Sequence, residues 1–521
     1  MPDLRAAAGC FALTAVVIAG SARLAAAPQN PDRRSETETC KALVANARQQ
    51  ADRGDTTGAD RALTAAARQC PNDGSLWREL AAVRVRASRW KEAEHPALRA
   101  VHVAPTDEQA WRLLATSRYM SGDFRGALAA WNHVGEPRIG AIDIHGARNT
   151  RHGVVANLAG LQADQLLTPG AFLRATHRVE LLPVSFDTRL KYEPLENGRA
   201  RVDVLLDERD VVPRSWLPLV VTGGQALILG ELKVEVAGPT GSGEDWTGAW
   251  RWSESWQRVT LGLATPAPGR LPGVLSVDGL WEAQSYALGE DFRTRETRRH
   301  VGVGLSDWAT SWLRWDAGGA ADQFGVRDYA ALSGALEARV AKDHMSLGLG
   351  GGAWTPLSGG PAFGIARLTL AVRTTTKADH AIVSLISGGS LASDGAPLAL
   401  WPAAGSTFSR DGLLRAHGLR TRGTMTGEAF GRQLAYGTLE YQRPAWRSPA
   451  GPLAVAVFVD AAQAWHRAAS LGATPLIVDV GAGVRVRAPA VAGVIRLDVA
   501  RGLRDGRMKA SLGLVQRWPS R

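Results

Sequence analysis

Two segments near the C-terminus decide the fold: residues 493–503, GVIRLDVARGL, and residues 508–518, MKASLGLVQRW. In the first, apolar and charged side chains alternate strictly from Ile495 to Val499, and in the second, apolar residues alternate with polar or small ones. A period of two predicts β-strands. One apolar face and one charged face suit a wall between lipid and a wet lumen, so the pattern predicts a transmembrane β-barrel. The apolar positions are Ile495, Leu497, Val499, Met508, Ala510, Leu512 and Leu514.

Similar alternating segments extend back to about residue 214, separated by clusters of Gly, Asp, Asn, Ser and Pro. Roughly 19 residues per strand and turn predict a barrel of about 16 strands over residues 214–521. A soluble β-sandwich would need polar outer faces where these strands carry Leu and Val. Aromatic residues are enriched at the interfaces of membrane barrels, and of the 18 tryptophans only four precede residue 214: Trp77, Trp90, Trp111 and Trp131.

Residues 1–27 predict a secretory signal peptide. Arg5 precedes an apolar stretch over residues 6–20, and small residues lead to a cleavage site near Ala27. The stretch is short for a membrane anchor helix, and no later stretch has 18 uninterrupted apolar residues. We therefore expect an exported chain with its barrel in the outer membrane and residues 28–213 in the periplasm.

The net charge of +11 raises the question of a nucleic-acid partner. Arginines that face a wet lumen account for this charge better in an exported chain. The sequence contains no H-E-x-x-H, C-x-x-C, G-x-S-x-G or Walker motif, and its histidines lack metal-ligand spacing. We therefore expect no enzyme, no cofactor, no metal and no nucleic-acid partner.

Cys40 and Cys70 are the cysteines that follow the predicted signal peptide. The first lies at the start of one helical segment and the second at the end of the next, and these ends are neighbours in an antiparallel hairpin. An oxidising compartment then favours a disulfide. Two buried free thiols are the alternative.

Residues 37–136 contain a repeat with a period of 34 residues. The second and third units follow the tetratricopeptide pattern, and the first unit is degenerate, as terminal caps often are. Three such repeats predict a short all-α solenoid whose concave face binds an extended partner, with a structural spacer as the alternative. The positions that carry the pattern are Trp77, Ala93, Pro105, Trp111, Ala127 and Trp131.

Residues 137–213 have the order strand, helix, helix, strand, strand. A strand is expected at 139–144, helices at about 151–160 and 169–181, and a hairpin around Asn197 and Gly198. The region resembles a POTRA domain, the periplasmic module of outer-membrane assembly proteins. Its matching segments are 137–139, 142–146, Gly170, 181–183, 198–200 and 207–209.

Further motifs lie in the barrel half. They are residues 412–420 (GLLRAHGLR) with 439–444 (LEYQRP), residues 457–465 (VFVDAAQAW), and the C-terminal pair. In this order they resemble the BamA/TamA superfamily of outer-membrane assembly and secretion barrels, also called the bacterial surface antigen family. With the POTRA-like region, the resemblance covers roughly residues 137–521.

In that superfamily a long extracellular loop folds back into the barrel, and its Arg-Gly-aromatic tip pairs with an acidic residue on the inner wall. By position, His417, Gly418 and Leu419 fall at the tip and Asp460 falls at the wall acid, so the arginine and the aromatic residue are both replaced. A histidine is fully charged only when its pKa is raised. We therefore expect a contact to Asp460 from His417, Arg415 or Arg420.

The chain is thus predicted to combine an all-α tetratricopeptide solenoid, an α+β POTRA-like domain and a transmembrane antiparallel β-barrel. The resemblance implies insertion or translocation of polypeptides at the outer membrane. Outer-membrane lipid would surround the barrel, and a periplasmic partner or client would bind the repeats and the POTRA-like domain.

The first and last strands, near 216–221 and 508–518, would form a seam at which client strands pair. Leu512, Leu514 and Trp518 then provide the C-terminal strand signal. An export conduit for exopolysaccharide or small molecules is one alternative, although the POTRA-like region argues against it. A scaffold that recruits a periplasmic partner is another.

Overall fold

The structure is a computed structural model that describes residues 31–211, 230–288, 292–375, 380–406, 410–448, 451–466, 472–486 and 494–515. The predicted signal peptide, the expected first-strand region 216–221 and Trp518 lie outside these residues. The chain divides into two compact units, one ending at Ala130 and one beginning at Trp131. The sequence placed this boundary after residue 136. Over the described ranges, no helix is both long and apolar enough to cross a membrane.

Helices build the first unit, and from α1 to α5 each packs against the next in the chain. Aspartates precede three of them: the side chains of Asp55, Asp73 and Asp107 accept hydrogen bonds from backbone N–H groups of the first turn. The helices are α1 (Pro31–Asp52), α2 (Thr56–Gln69), α3 (Gly74–Arg86), α4 (Trp90–Val103), α5 (Glu108–Met120) and α6 (Phe124–Asn132), the last of which crosses into the second unit.

The period of 34 residues recurs in the contacts of these helices. The indole Nε1 of Trp77 donates to the carbonyl of Pro71 over 2.9 Å, and that of Trp111 donates to Pro105 over 2.8 Å. Ala59, Ala93 and Ala127 are all fully buried. Small residues at these positions let the helices approach closely, while the tryptophans fix the turn that precedes each unit.

A disulfide joins Cys40 and Cys70, with the Cα atoms 6.1 Å apart. Cys70 is the residue that ends α2. The sequence predicted Cys40 at the start of a helical segment. Because α1 begins at Pro31, Cys40 lies inside this helix instead. The bond therefore ties the middle of α1 to the end of α2.

The second unit begins with a small sheet domain, which we define as residues 138–208. Two helices pack on a three-stranded sheet of order β1-β3-β2, in which β1 and β3 are parallel and β2 and β3 antiparallel. Positive φ angles at Asn197 and Gly198 make the turn between the last two strands. The elements are β1 (Arg138–His145), α7 (His152–Ala159), α8 (Pro169–Glu180), β2 (Ser185–Pro194) and β3 (Arg199–Glu208).

One large antiparallel sheet with the topology of a barrel forms the rest of this unit. Its consecutive long strands pair along the chain. The strands are β4 (Glu231–Ala237), β5 (Asp245–Ser253), β6 (Trp256–Pro266), β7 (Val274–Leu288), β8 (Phe292–Trp308), β9 (Leu313–Phe324), β10 (Arg327–Val340), β11 (Met345–Pro356), β12 (Phe363–Arg373), β13 (Ile382–Ala392), two short strands β14 (Arg420–Thr421) and β15 (Thr424–Met425), β16 (Gln433–Ser448), β17 (Gly451–Trp465), β18 (Ile477–Val486), β19 (Val494–Gly502) and β20 (Met508–Val515).

Side chains alternate between the two faces of this sheet. Val457 on β17 is 54% exposed, whereas its neighbour Phe458 is 3% exposed. On β19, Leu497 and Val499 are exposed while Arg496 and Asp498 are buried, which confirms the alternation predicted from the sequence. On β19, apolar residues therefore lie on the outer face and charged residues on the inner face.

The small sheet domain contacts the large sheet region at several places. Arg178 on α8 makes a two-point ion pair with Asp307 at the end of β8. The ring of His177 stacks on Trp308, with centroids 4.1 Å apart. Arg209, the residue that follows the domain, pairs with Asp245 at the start of β5 over 2.8 Å, and Arg151 of the domain donates to Ser242 in the turn before β5 over 2.8 Å. Contacts at separate strands fix the orientation of the domain better than a single contact.

Candidate functional site

The candidate site is a loop that leaves the large sheet and folds onto its inner face. β13 pairs directly with β16, so the described residues between them, 393–406 and 410–432, with β14 and β15, lie outside the regular ladder. We call these residues the luminal loop. The loop is rich in buried apolar side chains, which is unusual for a solvent-exposed connection. The largest are Leu398, Leu400, Trp401, Leu414, Leu419 and Phe430.

The luminal loop packs against strands from both halves of the sheet. Residues from both ends of the loop form an apolar cluster with Tyr286 on β7, Phe324 on β9 and Phe363 on β12. Another part packs with Leu434 on β16 and residues of β17 and β18. A sheet that contacts one loop from these opposite ends of its strand order must curve around it. The loop therefore fills part of the space that the sheet encloses.

Acidic side chains on the sheet and in the loop hold the loop backbone. Glu296 on β8 accepts hydrogen bonds from the backbone N–H groups of Leu398 and Ala399, over 3.2 and 2.9 Å. Asp411, within the loop, accepts from Ser390 on β13 over 2.8 Å and from the backbone of Ala403 over 3.1 Å. The bonds to residues 398, 399 and 403 satisfy backbone N–H groups of the loop.

Arg415 is the central contact of the loop with the wall. Its guanidinium carbon lies 3.6 Å from the centre of the Phe458 ring. Its Nη2 lies 2.7 Å from a carboxylate oxygen of Glu440, and its Nε lies 3.3 Å from Asp460. Arg415 and Asp460 are fully buried. A buried arginine that meets an aromatic face and two carboxylates compensates its charge without water.

Arg415 belongs to a larger charged cluster on the inner face of β16 to β19. Arg485 on β18 donates to both oxygens of Glu440, over 2.9 and 2.7 Å, and to Asp498 on β19 over 2.6 Å. Arg496 lies 3.7 Å from Asp498. We define the charged cluster as Arg415, Glu440, Asp460, Arg485, Arg496 and Asp498. One loop residue thus completes a network whose other members come from the wall.

His417 makes a second contact, to different acids. Its Nδ1 lies 2.7 Å from Asp479 on β18, and its Nε2 lies 3.2 Å from Asp505 in the turn before β20. The backbone N–H of Ala416 donates to Asp479 over 2.7 Å. The hydrogen bond to Asp479 raises the pKa of His417 above its ordinary value. Only the charged imidazolium donates from both ring nitrogens, so this geometry favours the protonated ring.

The resemblance placed His417, Gly418 and Leu419 at the loop tip that faces Asp460. The structure gives these residues other contacts. It brings Arg415 to Asp460, while His417, at the expected arginine position, contacts Asp479 and Asp505. Arg420 donates to Gln284 on β7 over 3.0 Å and lies over the Trp256 ring. Leu419, at the expected aromatic position, is fully buried in the apolar cluster with Phe430. A Cβ at Gly418 would lie 2.8 Å from the Lys509 ammonium on β20, the end of a flexible side chain that can shift.

Several members of the site were missed by the sequence interpretation: Glu440, Phe458, Asp479, Arg485, Asp498 and Asp505. A signal was present for some of them. Phe458 and Asp460 are two residues apart on one strand and so share a face, and Arg496 and Asp498 do the same on the next strand but one. Nothing in the sequence indicates which loop residue reaches them, because that depends on the path of the luminal loop.

The fold and the enclosed loop define a class of protein, a large antiparallel sheet wrapped around an internal connection. CdiB from Escherichia coli has the same fold: at 12% sequence identity the alignment covers 72% of this chain and 76% of that chain, with a TM-score of 0.51.

Weaker likenesses are found to BamA from Haemophilus ducreyi lacking POTRA domains 1–3 (12% identity, 72% and 85% of the two chains, TM-score 0.41) and to CdiB from Acinetobacter baumannii (10%, 78% and 81%, 0.44). No protein-family model and no curated protein matches the sequence.

Proposed function

We propose that this chain is an outer-membrane barrel protein that assists the insertion or translocation of polypeptides, with residues 28–213 in the periplasm. The observation that carries the proposal is the contact of Arg415 with Phe458 and Asp460. It fixes an internal loop to the wall acid that the BamA/TamA resemblance implies, although through Arg415 and not through the expected tip residue His417. The shared fold with CdiB and the apolar outer face of the sheet support the same assignment.

In this function the periplasmic part of the chain, residues 28–213, recruits clients. We assign the helices of residues 37–136 to tetratricopeptide repeats and the small sheet domain to a POTRA-like module. Within the described residues, the edge strand β2 has one side without a partner strand in its three-stranded sheet, whereas the start of β1 is hydrogen-bonded to residues 164–167. An extended client segment pairs with such an edge by backbone hydrogen bonds. The function needs no cofactor and no catalytic step.

The large sheet then provides the passage or the template. The luminal loop blocks part of the lumen at rest, and release of Arg415 from the charged cluster opens it. A seam beside β20 would accept client strands, because an unpaired strand edge is costly in lipid. A permanently open export conduit would leave the lumen free, and the buried luminal loop argues against that alternative.

The test is quantitative proteomics of the outer membrane and culture supernatant after depletion of this protein. We expect loss of a defined set of barrel proteins or of one secreted protein, restored by wild-type chain and not by Arg415→Ala. Arg443→Ala, which removes an exposed arginine from β16, is the matched control and restores the set. An unchanged proteome with altered surface polysaccharide would overturn the proposal in favour of the conduit.

A further inference from the structure

The outer face of β8 changes its chemistry along the strand. Toward Trp308, the outward residues Val303 and Val301 are apolar and 51% and 64% exposed. Toward Phe292, every outward position but one is an exposed arginine: Arg299, Arg295 and Arg293. We call these three residues the arginine row. The small sheet domain is attached at the Trp308 end of β8. The arginine row lies at the other end of this strand.

Strand pairing places the arginine row relative to the aromatic residues. Arg299 is directly opposite Trp281 on β7, Trp281 is opposite Val259 on β6, and Val259 is opposite Trp250 on β5. Both tryptophans are exposed on the outer face. Exposed tryptophans mark the interface between lipid tails and headgroups in membrane barrels. Arg299 therefore lies at headgroup level, and Arg295 and Arg293 lie beyond it.

The guanidinium groups of the row are available for a ligand. Arg295 donates one hydrogen bond to Gln257 over 3.2 Å. Within the described residues, which do not include the adjoining turn at 289–291, no member of the row forms an ion pair. Arginine presents a planar fork of donors that matches the oxygens of a phosphate.

We propose that the arginine row binds the headgroup of a multiply phosphorylated lipid in the leaflet opposite the small sheet domain. This proposal rests on the membrane location proposed above. Six residues separate Arg293 from Arg299, a span of about 20 Å at roughly 3.4 Å per residue. One phosphate engages only part of such a row, whereas two or more engage most of it. Val301 and Val303 lie below, where the acyl chains of the same lipid fit.

The test compares the full-length triple variant R293Q/R295Q/R299Q with wild type in mild detergent. Binding of bisphosphorylated lipid A is titrated by native mass spectrometry, with monophosphorylated lipid A, phosphatidylglycerol and phosphatidylcholine as further probes. Each arginine near a membrane surface contributes about a fivefold change in binding, so we expect a loss on the order of 100-fold for the bisphosphorylated lipid. Added salt weakens wild-type binding in the same direction.

The matched control is R61Q/R68Q/K91Q, which removes three exposed positive charges from the helices of the first unit. It retains wild-type binding if the row is the site. Equal binding by wild type and R293Q/R295Q/R299Q overturns the proposal, and so does a preference for lipids with one phosphate. Failure of the wild-type chain to insert into phosphatidylcholine liposomes would instead overturn the membrane location. The two failures are therefore distinguishable.

Discussion

Arg415 stacks its guanidinium group on the ring of Phe458, with the central carbon 3.6 Å from the ring centre. Phe458 and Asp460 occupy the same face of β17, so one strand offers both an aromatic surface and a carboxylate to the luminal loop. Glu440 on the neighbouring strand β16 completes the contact. Since all four side chains are buried, the loop is held by charge that water does not screen.

Removal of this arginine is expected to release the loop. Arg415→Ala leaves Glu440 and Asp460 buried without this partner, which costs about 3–5 kcal/mol for a buried charge pair. The loop then populates conformations away from the wall, and the lumen conducts ions. In planar bilayers we expect rare, brief openings for wild type and openings at least tenfold more frequent for the variant.

Arg443→Ala is the matched control, because Arg443 is exposed on the same strand as Glu440 but lies outside the charged cluster. It retains the conductance of wild type. Phe458→Leu keeps the apolar volume but removes the aromatic face, and we expect an intermediate opening frequency. Wild-type conductance in Arg415→Ala would contradict the role of Arg415 as the residue that closes the lumen.

The contact of His417 is expected to depend on pH. Asp479 stabilises the charged ring and raises the pKa of His417 above its ordinary value of 6.5. The contact is therefore at full strength below about pH 6.5 and weakens as the pH rises through the raised pKa. In the same bilayer measurement, the opening frequency of wild type should rise on the alkaline side of neutrality.

His417→Asn removes the titrating group, so its opening frequency should be higher at low pH and change little between pH 6 and 9. His152→Asn, at an exposed histidine of the small sheet domain, serves as the control and keeps the pH response of wild type. An unchanged pH response in His417→Asn would assign the titration to another group.

The regular parts of the fold were predictable because their physical cause is local. Alternation of side chains is written in each strand, as Leu497, Asp498 and Val499 illustrate, and it predicted the faces of β19 correctly. The 34-residue spacing of Trp77 and Trp111 likewise gives each the same contact with a preceding proline. In both cases, residues close in sequence determine the face or the contact of a side chain.

The site was less predictable because its contacts are long-range. Arg415 meets Asp498, 83 positions further along the chain, only after the loop has folded inward and four strands have paired. The sequence alone offered His417, Arg415 and Arg420 as equal candidates for Asp460, and which of them reaches it depends on where the loop crosses β17. The apolar residues of the loop, such as Leu414 and Phe430, set that crossing.

The attachment of the small sheet domain is expected to depend on Asp307. This carboxylate is buried and binds Arg178 at two points, with Arg174 3.7 Å away. Asp307→Ala leaves two arginines of α8 without their acid and should weaken the attachment by about 3–5 kcal/mol. Hydrogen exchange should then accelerate in α8 and at the β8–β9 turn. Asp187→Ala, which removes an acid from the exposed pair with Arg189, is the control and leaves this exchange unchanged.

The disulfide between Cys40 and Cys70 is expected to stabilise the first unit by restricting its unfolded chain. For a separation of 30 residues, loop-closure entropy predicts a loss of about 3.5 kcal/mol on reduction. Hydrogen exchange of the full-length protein, with and without a phosphine reductant, should show faster exchange in α1 and α2 only after reduction. C40S/C70S should exchange rapidly under both conditions.

Ala67→Ser, a polar change in the same apolar cluster, controls for the loss of apolar contact and stays sensitive to the reductant. Exchange in α1 and α2 that ignores the reductant in the wild-type chain would show that packing around Leu63 and Leu76, and not the covalent bond, holds these helices together.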